Sequence, residues 1–356
     1  MNDTEAMGRA LDLAYRGWGR VQPNPLVGAL VLGPDGVLGE GFHAEYGGPH
    51  AEAVALAAAG ERARGATLFV TLEPCTHQGK QPACVDRILA SGVSRVVIAA
   101  ADPHAVAAGG AERLRQAGIT VEIGARAAEA LIQNAAFHKT LERRRRPFVA
   151  LKLATSLDFR IADAGGHSRW ISGEQARDFV HWHRAGFDAI AVGGKTAQVD
   201  DPSLTARGAV EPRIAPTRVV FAGSRRVAVD GNLARTARSI RTIVLGSTGV
   251  GSEAQALRAA GVELVDVDTV DQGLAELSQR GIQSIVVEGG GRLAGALLSG
   301  RLVDRFVWIV SPVWLGDTGV PAVRGLEVHS LLQAERWNLT DRKGLGQDTL
   351  LVFDRP

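Results

Sequence analysis

Cysteine is nearly absent from this chain of 356 residues, in which Cys75 and Cys84 are the only two. Two cysteines are too few for a disulfide framework. In a reducing compartment they favour metal binding or reactivity, with a single disulfide as the alternative. Long apolar runs are also absent, since no stretch approaches the roughly 20 apolar residues of a membrane span. We therefore expect no membrane partner.

An excess of charge of one sign is missing as well. The 40 Lys and Arg residues nearly balance the 38 Asp and Glu residues, which argues against a general polyanion-binding surface. Single-strand and tRNA binders interleave aromatic and basic residues, a pattern that two tyrosines in a nearly neutral chain do not provide. The acidic start MNDTEAMGRALDLA lacks the basic and apolar segments of a signal peptide. We expect a cytoplasmic enzyme acting on a small molecule, without a nucleic-acid partner.

The length exceeds what one hydrophobic core usually serves, so two domains are expected. A run of four arginines ends at Pro147, and the residue before a proline is disfavoured in a helix. We interpret this run as a solvated linker, with a phosphate-binding patch as the alternative. The predicted domains are therefore 1–145 and 146–356.

Apolar periodicity predicts an α/β fold for both domains. The first begins with a helix over 4–17 and a hairpin of VGALVL and VLGEGFH, and continues as alternating helices and strands to TVEIG. A hairpin followed by βαβ units implies a mixed sheet covered by helices. The second domain alternates in the same way from FVALKLATS to DRFVWIVSPV, the last predicted strand.

The two cysteines accompany other residue types that bind metals or move protons. His50-Ala51-Glu52 opens a predicted helix, and Glu73-Pro74-Cys75 follows a predicted strand. Catalytic zinc takes three nitrogen or thiolate ligands and keeps a fourth position for water, and His50, Cys75 and Cys84 supply that set. A carboxylate two residues from the histidine can move the protons. We predict one zinc ion per chain and Glu52 as the catalytic acid/base of a deaminase acting on a pyrimidine-type ring.

The spacing of the cysteines departs from the usual deaminase signature, in which two residues separate them. Here eight residues, Thr76 to Ala83, lie between Cys75 and Cys84. This loop contains His77, which is a rival ligand. A non-catalytic module with structural zinc would have a fourth protein ligand and no need of Glu52.

The long spacing is part of a resemblance to a known family. The segment TLEPCTHQGKQPAC resembles that of the bifunctional riboflavin-biosynthesis deaminase/reductase. Further similar motifs are PNPLVG at 23–28, GGPHAEAVAL at 47–56, KLATSLD at 152–158, SRWIS at 168–172, DAIAVGGKT at 188–196, DDPSLTAR at 200–207 and VEGGGRLAGALL at 287–298. The resemblance covers nearly the whole chain.

The resemblance implies a cytidine-deaminase-like mixed-sheet domain followed by a dihydrofolate-reductase-like domain. The first would deaminate a diaminopyrimidinone carrying a phosphoribosylamino group, and the second would reduce the ribosyl group to a ribityl chain with NADPH. A homodimer is also implied. The alternatives are a deaminase with an inactive reductase-like domain and a nucleoside or tRNA-type deaminase fused to an NADPH-independent domain.

Family positions can be carried onto this sequence residue by residue. The zinc ligands and the proton shuttle again fall on His50, Cys75, Cys84 and Glu52. Substrate positions of the first domain fall on Asn24, His43, His77 and Lys80, which favours His77 as a substrate contact. Cofactor positions of the second domain fall on Ala154, Ser156, Trp170, Thr196, Asp200, Gly290, Gly291, Arg292, Leu293, Ala294, Gly295 and Ala296. Its substrate positions fall on Ser168, Arg184, Leu204, Arg207 and Glu288.

Some features of the second domain can be interpreted from the residues themselves. A glycine cluster between an apolar strand and a helix frees backbone N–H groups for a phosphate. Among the substrate positions that the resemblance implies, two arginines converging with a serine suit a substrate phosphate. No acidic residue ends the following strand, so a standard Rossmann domain is not expected. The sequence has Phe159 where the family commonly has glycine and Ala222 where it commonly has an acidic residue. If that glycine has a positive φ, the turn must be rebuilt here.

Overall fold

A computed structural model shows the fold and describes residues 1–77, 82–104, 108–142, 145–247, 249 and 251–356, without the side chains of Thr140 and Glu142. The chain divides into two compact units, Met1–Glu142 (unit 1) and Arg143–Pro356 (unit 2). The division falls at the start of the arginine run, close to the predicted boundary. No helix in the described ranges is both long and apolar enough to cross a membrane.

Unit 1 is built on a five-stranded mixed sheet. Its elements are α1 Asp3–Ala14, β1 Gly28–Gly33, β2 Gly36–Phe42, α2 Ala51–Ala59, β3 Thr67–Leu72, α3 Cys84–Ser91, β4 Arg95–Ala100, α4 Gly110–Gln116, β5 Thr120–Ile123, α5 Ala127–Gln133 and α6 Ala135–Glu142. The strand order is β2-β1-β3-β4-β5, with β1 antiparallel to both neighbours and β3, β4 and β5 parallel. Leu68 and Val70 of β3 pack into an apolar cluster with residues of α2, α3 and α4. Phe69, which points to the opposite face, packs into a second cluster with residues of α1 and α5. Helices therefore cover both faces of the sheet.

Glycines of β2 allow α2 to pack closely against the sheet. A Cβ on Gly41 would lie 2.3 Å from the carbonyl oxygen of Ala51, and a Cβ on Gly39 would lie 2.3 Å from that of Ala55. Any larger residue would push α2 away from the sheet. The close approach fixes the first turn of α2, which carries two of the predicted site residues.

Unit 2 is built on a nine-stranded sheet. Its elements are β6 Phe148–Thr155, β7 Arg160–Ala162, α7 Glu174–Ala185, β8 Ala189–Gly193, α8 Gly194–Asp200, β9 Thr217–Gly223, α9 Asn232–Arg235, β10 Thr242–Gly246, α10 Ser252–Ala260, β11 Glu263–Val265, α11 Val270–Gln279, β12 Ser284–Glu288, α12 Gly291–Ser299, β13 Arg305–Val310, β14 Val320–Pro321, β15 Asn338–Leu345 and β16 Asp348–Asp354. The strand order is β11-β10-β9-β8-β12-β6-β13-β16-β15. The first seven strands in this order are parallel, and β16 and β15 complete the sheet in antiparallel pairs.

The predicted α/β class is confirmed in both units, and the structure adds elements that periodicity did not predict. These are α5 and α6 in unit 1, and β7, α8, α9, β14 and the hairpin of β15 and β16 in unit 2. Strand β15 reads NLTDRKGL, and Leu345 is its only buried residue. An exposed edge strand has no apolar face to create an alternating pattern, so its sequence resembles that of a loop.

Candidate metal centre and cofactor cavity

Three metal-binding side chains meet in unit 1. His50 is the N-cap residue of α2, Cys75 follows β3, and Cys84 is the first residue of α3. Nδ1 of His50 lies 3.2 Å from Sγ of Cys84 and 3.6 Å from Sγ of Cys75. One ligand atom from each residue lies within 4.8 Å of the other two. The eight-residue gap therefore does not separate the cysteines in space.

The distances among these atoms fit a zinc ion. With Zn–N bonds of about 2.1 Å and Zn–S bonds of about 2.3 Å, tetrahedral coordination separates nitrogen from sulfur by about 3.6 Å. The two N···S distances are 3.2 and 3.6 Å. A search of the described residues finds this group of three and no fourth protein ligand in it. Three protein ligands leave a coordination position for water, which is the pattern of a catalytic site.

The two thiols polarise one another. The hydrogen bond from Cys84 lowers the pKa of Cys75 to about 4, and the bond to His50 acts in the same direction, against the effect of burial. The same thiol–thiol hydrogen bond, together with burial, raises the pKa of Cys84. The backbone N–H of Cys84 also donates to Sγ of Cys75 at 3.4 Å. One thiolate is therefore available to a cation at neutral pH.

Glu52 lies in the first turn of α2, two residues after His50, and only 3% of its surface is exposed. Burial raises the pKa of its carboxyl group, and its own backbone N–H and the nearby His50 offset this only in part. A raised pKa lets a carboxyl group both accept and release a proton near neutral pH. The structure thus places a buried carboxyl group with a raised pKa beside the predicted zinc ligands.

His43 and Asn24 form a hydrogen-bonded wall next to the ligand histidine. The ring of His43 is 3% exposed and meets the ring of His50 edge-on at 5.5 Å. Its Nδ1 lies 3.0 Å from the carbonyl oxygen of Pro49, and its Nε2 lies 3.1 Å from Nδ2 of Asn24. Because a carbonyl only accepts, the proton is assigned to Nδ1, and Nε2 accepts from Asn24. Burial lowers the pKa of His43, which favours this neutral form.

The other two predicted substrate contacts of unit 1, His77 and Lys80, follow Cys75 in the sequence. His77 is exposed, and it is not a member of the metal-binding group. The structure therefore does not support His77 as a rival ligand. Lys80 lies outside the described residues.

Glu73 received no role from the sequence, yet it anchors the loop behind Cys75. Its carboxylate accepts hydrogen bonds from the backbone N–H groups of Asp102, Gly109 and Ala111 at 3.2, 3.2 and 3.0 Å. Glu73 is 8% exposed. The only signal in the sequence was an acidic residue at the end of an apolar strand.

Unit 2 contains a cavity of about 740 Å³ at the carboxyl ends of its parallel strands. Its size lies within the usual range for small-molecule and cofactor sites, about 300–1,000 Å³. The ends of β6, β8, β9, β10 and β12 line it together with the first residues of α8 and α12. Predicted site residues in its lining are Ala154, Ser168, Trp170, Arg184, Thr196, Asp200, Leu204, Glu288, Gly290, Gly291, Arg292, Leu293 and Ala296.

The glycine cluster forms a cradle at the mouth of α12. Gly289 and Gly290 have φ angles of 79° and 82°, which residues with a side chain rarely adopt. A Cβ on Gly290 would lie 3.4 Å from Oγ1 of Thr196. Backbone N–H groups at a helix start, with the positive end of the helix dipole, favour a phosphate. The cradle and the cavity volume fit a dinucleotide such as NADPH.

Buried charges line the cavity near β6 and β12. Nε and Nη2 of Arg184 each donate to a carboxylate oxygen of Glu288 at 2.7 Å, and Nη1 donates to the carbonyl oxygen of Thr205 at 3.0 Å. Burial by itself raises the pKa of Glu288, but the charge and hydrogen bonds of Arg184, with Lys152, outweigh it and hold the pKa at about 2. Burial lowers the pKa of Lys152. Lys152 was not among the predicted site residues, and a lysine inside the apolar strand FVALKLATS was the available signal.

Four predicted residues lie away from the cavity lining: Ser156, Arg207, Ala294 and Gly295. Ser156 is fully buried, and its hydroxyl donates to Oδ1 of Asp158 at 2.6 Å. Ala294 and Gly295 lie on the buried side of α12, because a helix turns each successive residue by about 100°. Arg207 is exposed. The guanidinium of Arg184 lines the cavity but is already bound to Glu288.

Phe159 adopts the conformation that the sequence analysis expected it to avoid. Its φ is +60°, and its N–H donates to the carbonyl oxygen of Ser156 at 3.2 Å to close the turn. The ring packs edge-on against Trp308, with 5.3 Å between centroids. A left-handed conformation costs a residue with a side chain about 1–2 kcal/mol. The turn is therefore kept with phenylalanine and is not rebuilt.

Two family models match this chain. The cytidine and deoxycytidylate deaminase zinc-binding region matches residues 1–100, and the RibD C-terminal domain matches residues 147–351. The first match lies within unit 1 and contains the His50, Cys75 and Cys84 group. The second lies within unit 2 and contains the cavity.

Whole-chain relatives agree with these matches. The riboflavin biosynthesis protein RibD of Aquifex aeolicus is 36% identical over 356 residues, which cover 99% of this chain and 98% of the relative. RibD of Escherichia coli is 37% identical over 381 residues, with 99% of each chain covered. The solved structure of Acinetobacter baumannii RibD, form 1, has a TM-score of 0.83 at 35% identity and covers 99% of both chains. A Thermotoga maritima structure, described as a diaminohydroxyphosphoribosylaminopyrimidine deaminase/5-amino-6-(5-phosphoribosylamino)uracil reductase, has a TM-score of 0.82 at 33% identity, covering 99% of this chain and 98% of that one.

Proposed function

Because this chain belongs to the RibD family of riboflavin biosynthesis proteins, we propose that unit 1 deaminates a phosphoribosylamino-diaminopyrimidinone and that unit 2 reduces the ribosyl group of the product. The protein is a bifunctional enzyme of riboflavin biosynthesis, a zinc-dependent deaminase joined to an NADPH-dependent reductase. A deaminase with an inactive second unit is not favoured, since the RibD C-terminal domain matches residues 147–351.

The observation that carries the deaminase proposal is the His50, Cys75 and Cys84 group with the buried Glu52 beside it. These three ligands hold zinc, which when bound is a Lewis acid that lowers the pKa of a water molecule. Glu52 accepts a proton from the attacking water as a C–O bond forms at the ring carbon that bears the amino group. Glu52 passes this proton to the ring nitrogen, then takes the remaining proton from the hydroxyl now on the ring carbon and gives it to the amine. The C–N bond breaks as the carbonyl forms, and ammonia leaves.

Substrate orientation in unit 1 is proposed to depend on Asn24 and His43. The amide of Asn24 donates to His43, which leaves its carbonyl oxygen for an N–H group on the pyrimidine edge. His43 is held in turn by the carbonyl oxygen of Pro49. His77 and Lys80 are proposed as further substrate contacts from the loop after Cys75.

In unit 2 the glycine cradle is proposed to hold the phosphates of NADPH, and bound NADPH supplies the hydride. The sugar of the substrate would lie near Glu288, whose carboxylate Arg184 orients toward the cavity. Reduction of a ribosyl to a ribityl group adds a hydride to the sugar carbon and a proton to the ring oxygen. Lys152, partly buried on the same wall and with a pKa lowered by desolvation, is proposed to donate that proton. Other proposed contacts are Ala154, Trp170, Thr196 and Asp200 for the cofactor, and Ser168 and Leu204 for the substrate.

The two activities can be tested separately in the full-length protein. The diaminopyrimidinone substrate should release ammonia, and the protein should contain one zinc ion per chain. The deaminated substrate with NADPH should cause loss of the nicotinamide absorbance. Zinc content far below one per chain would contradict the deaminase proposal, and the absence of NADPH oxidation would contradict the reductase proposal.

Assembly and compartment also belong to the proposal. Large apolar side chains of unit 2 are exposed, among them Trp314 at 72%, Leu331 at 80% and Leu332 at 97%. Burial of such side chains between two copies would remove them from water, which supports a homodimer that light scattering would detect. We further propose that the enzyme is cytoplasmic, because a reducing compartment keeps the two thiol ligands free. We propose no nucleic-acid partner.

A further inference from the structure

The cavity of unit 2 is lined by cations that lack an acidic partner. Lys195, Arg225, Arg292 and Arg324 line it, and none of them forms an ion pair with another described residue. Among the described carboxylates in the lining, Asp200 and Asp268 likewise have no ion pair, whereas Glu288 is bound to Arg184. The unpaired charge on the wall is therefore positive in excess, which suits a ligand that carries several phosphates.

The strand order gives the cavity two distinct ends. The carboxyl ends that line it follow the order β10, β9, β8, β12 and β6, with about 4.8 Å between neighbouring strands. The partly buried Lys152 and Glu288 lie on β6 and β12, and with Lys152 as the proton donor proposed above, the hydride is delivered at that end. With the glycine cradle at β12 holding the phosphates, the adenosine half of the dinucleotide extends toward β9 and β10. Apolar residues suited to an adenine ring line that end, including Leu245, Val267 and Val270.

Arg225 lies at this adenosine end, in the turn that follows β9. Its backbone N–H donates to the carbonyl oxygen of Ala222 at 3.0 Å, and its exposed guanidinium donates to the neutral Oε1 of Gln198 at 3.3 Å. Ser224 lines the cavity beside it, and Ala222 places no carboxylate there. The guanidinium therefore has free N–H donors and forms no ion pair with a described side chain.

We propose that Arg225 binds the 2′-phosphate of NADPH and thereby makes unit 2 discriminate against NADH. This inference rests on the proposed reductase function. A guanidinium offers two parallel N–H donors to a phosphate, and Lys195 on the same wall adds a second positive charge. NADH carries a hydroxyl group at that position and makes neither contact. The competing assignment is Asp268, because an acidic residue at this end can accept the ribose hydroxyls of NADH.

Binding of adenosine 2′,5′-bisphosphate and of adenosine 5′-phosphate to the full-length protein tests the proposal without turnover. The wild-type protein should bind the bisphosphate more tightly. Arg225→Gln should weaken bisphosphate binding by roughly 10- to 100-fold, the effect of losing a charge-assisted hydrogen bond, and leave the monophosphate unchanged. Arg226→Gln is the matched control, because Arg226 is the neighbouring exposed arginine, pairs with Glu253 at 2.8 Å and does not line the cavity.

The kinetic counterpart is the ratio of kcat/KM for NADPH to kcat/KM for NADH, which should fall by a similar factor in Arg225→Gln. Lys195→Gln should change the ratio in the same direction. The proposal would be overturned if the wild-type protein bound the two nucleotides equally or bound neither. It would also be overturned if Arg225→Gln weakened the binding of both nucleotides by the same factor. Equal use of NADPH and NADH would overturn it and leave the reductase function in place. Selective bisphosphate binding without NADPH oxidation would instead contradict the reductase function alone.

Discussion

Arg184 and Glu288 form a two-point ion pair in the cavity of unit 2, with both N···O distances at 2.7 Å. The two side chains are only 15% and 11% exposed. Loss of one partner from such a pair leaves a buried charge without compensation, which typically costs about 3–5 kcal/mol. This pair therefore links the stability of unit 2 to the geometry of its proposed substrate site.

We predict that Glu288→Gln lowers the free energy of unfolding of unit 2 by about 3 kcal/mol and abolishes NADPH oxidation. The amide keeps the size of the side chain but leaves the guanidinium of Arg184 without its counter-charge. Denaturant unfolding measures the first effect, and the nicotinamide absorbance measures the second. Deaminase activity in unit 1 serves as the internal control and should be unchanged. A variant as stable as the wild type would refute the stabilising role of the pair.

The same pair predicts a pH dependence. The pKa of Glu288 is lowered from its ordinary value of 4.5 to about 2, so the folded state favours the ionised carboxylate. Its contribution to stability is fully present above about pH 4.5 and is lost as the pH falls toward 2. We expect the difference in unfolding free energy between wild type and Glu288→Gln to be constant near neutral pH and to shrink over that window. A difference that stays constant through the window would contradict the lowered pKa.

Replacement of Glu52 by glutamine should separate metal binding from proton transfer. Zinc should remain at one ion per chain, because Glu52 is not among the ligands. Ammonia release should fall by roughly 100-fold or more, the usual contribution of general acid/base catalysis. NADPH oxidation with the deaminated substrate should continue at the wild-type rate. A zinc-loaded Glu52→Gln variant that retains deaminase activity would exclude Glu52 as the proton carrier.

Gly110→Ala should disturb the proposed zinc site by displacing the backbone next to Cys75. A Cβ at Gly110 would lie 1.9 Å from the carbonyl oxygen of Pro74, the residue directly before the ligand Cys75. We expect reduced zinc content and deaminase activity, with NADPH binding unaffected. Gly118→Ala is the control, since Gly118 has a φ of 89° and open space around it. That change should cost about 1 kcal/mol through backbone strain and leave the zinc content intact. Full zinc occupancy in Gly110→Ala would show that the loop tolerates the displacement.

Phe159 allows backbone strain to be separated from ring packing. Both Phe159→Ala and Phe159→Gly lose the contact with Trp308, but only alanine retains a side chain at a φ of +60°. The glycine variant should therefore be the more stable of the two by about 1 kcal/mol. Phe306 on β13 also contacts Trp308 and provides the comparison. At that strand position the alanine variant should be more stable than the glycine variant. If alanine were also the more stable variant at position 159, backbone strain at Phe159 would be contradicted.

The His50, Cys75 and Cys84 group and the carboxyl group of Glu52 beside it could be predicted from the sequence because their chemistry depends on residue type and short spacing. His50 and Glu52 share one turn, and Cys75 ends a strand whose apolar character is visible in the letters. The same local patterns predicted the α/β class of both units. Where the pattern is weak, as in the exposed strand β15, the element was missed.

The interactions between distant residues were decided only by the tertiary structure. Arg184 and Glu288 are 104 positions apart, and nothing in either neighbourhood indicates that the arginine binds a carboxylate. The burial that raises the pKa of Glu52 and the packing that keeps Phe159 in a left-handed turn have the same origin. Residue type determines what a side chain can do chemically, whereas its pKa, its partners and its strain depend on burial and on neighbours that only the folded chain brings together.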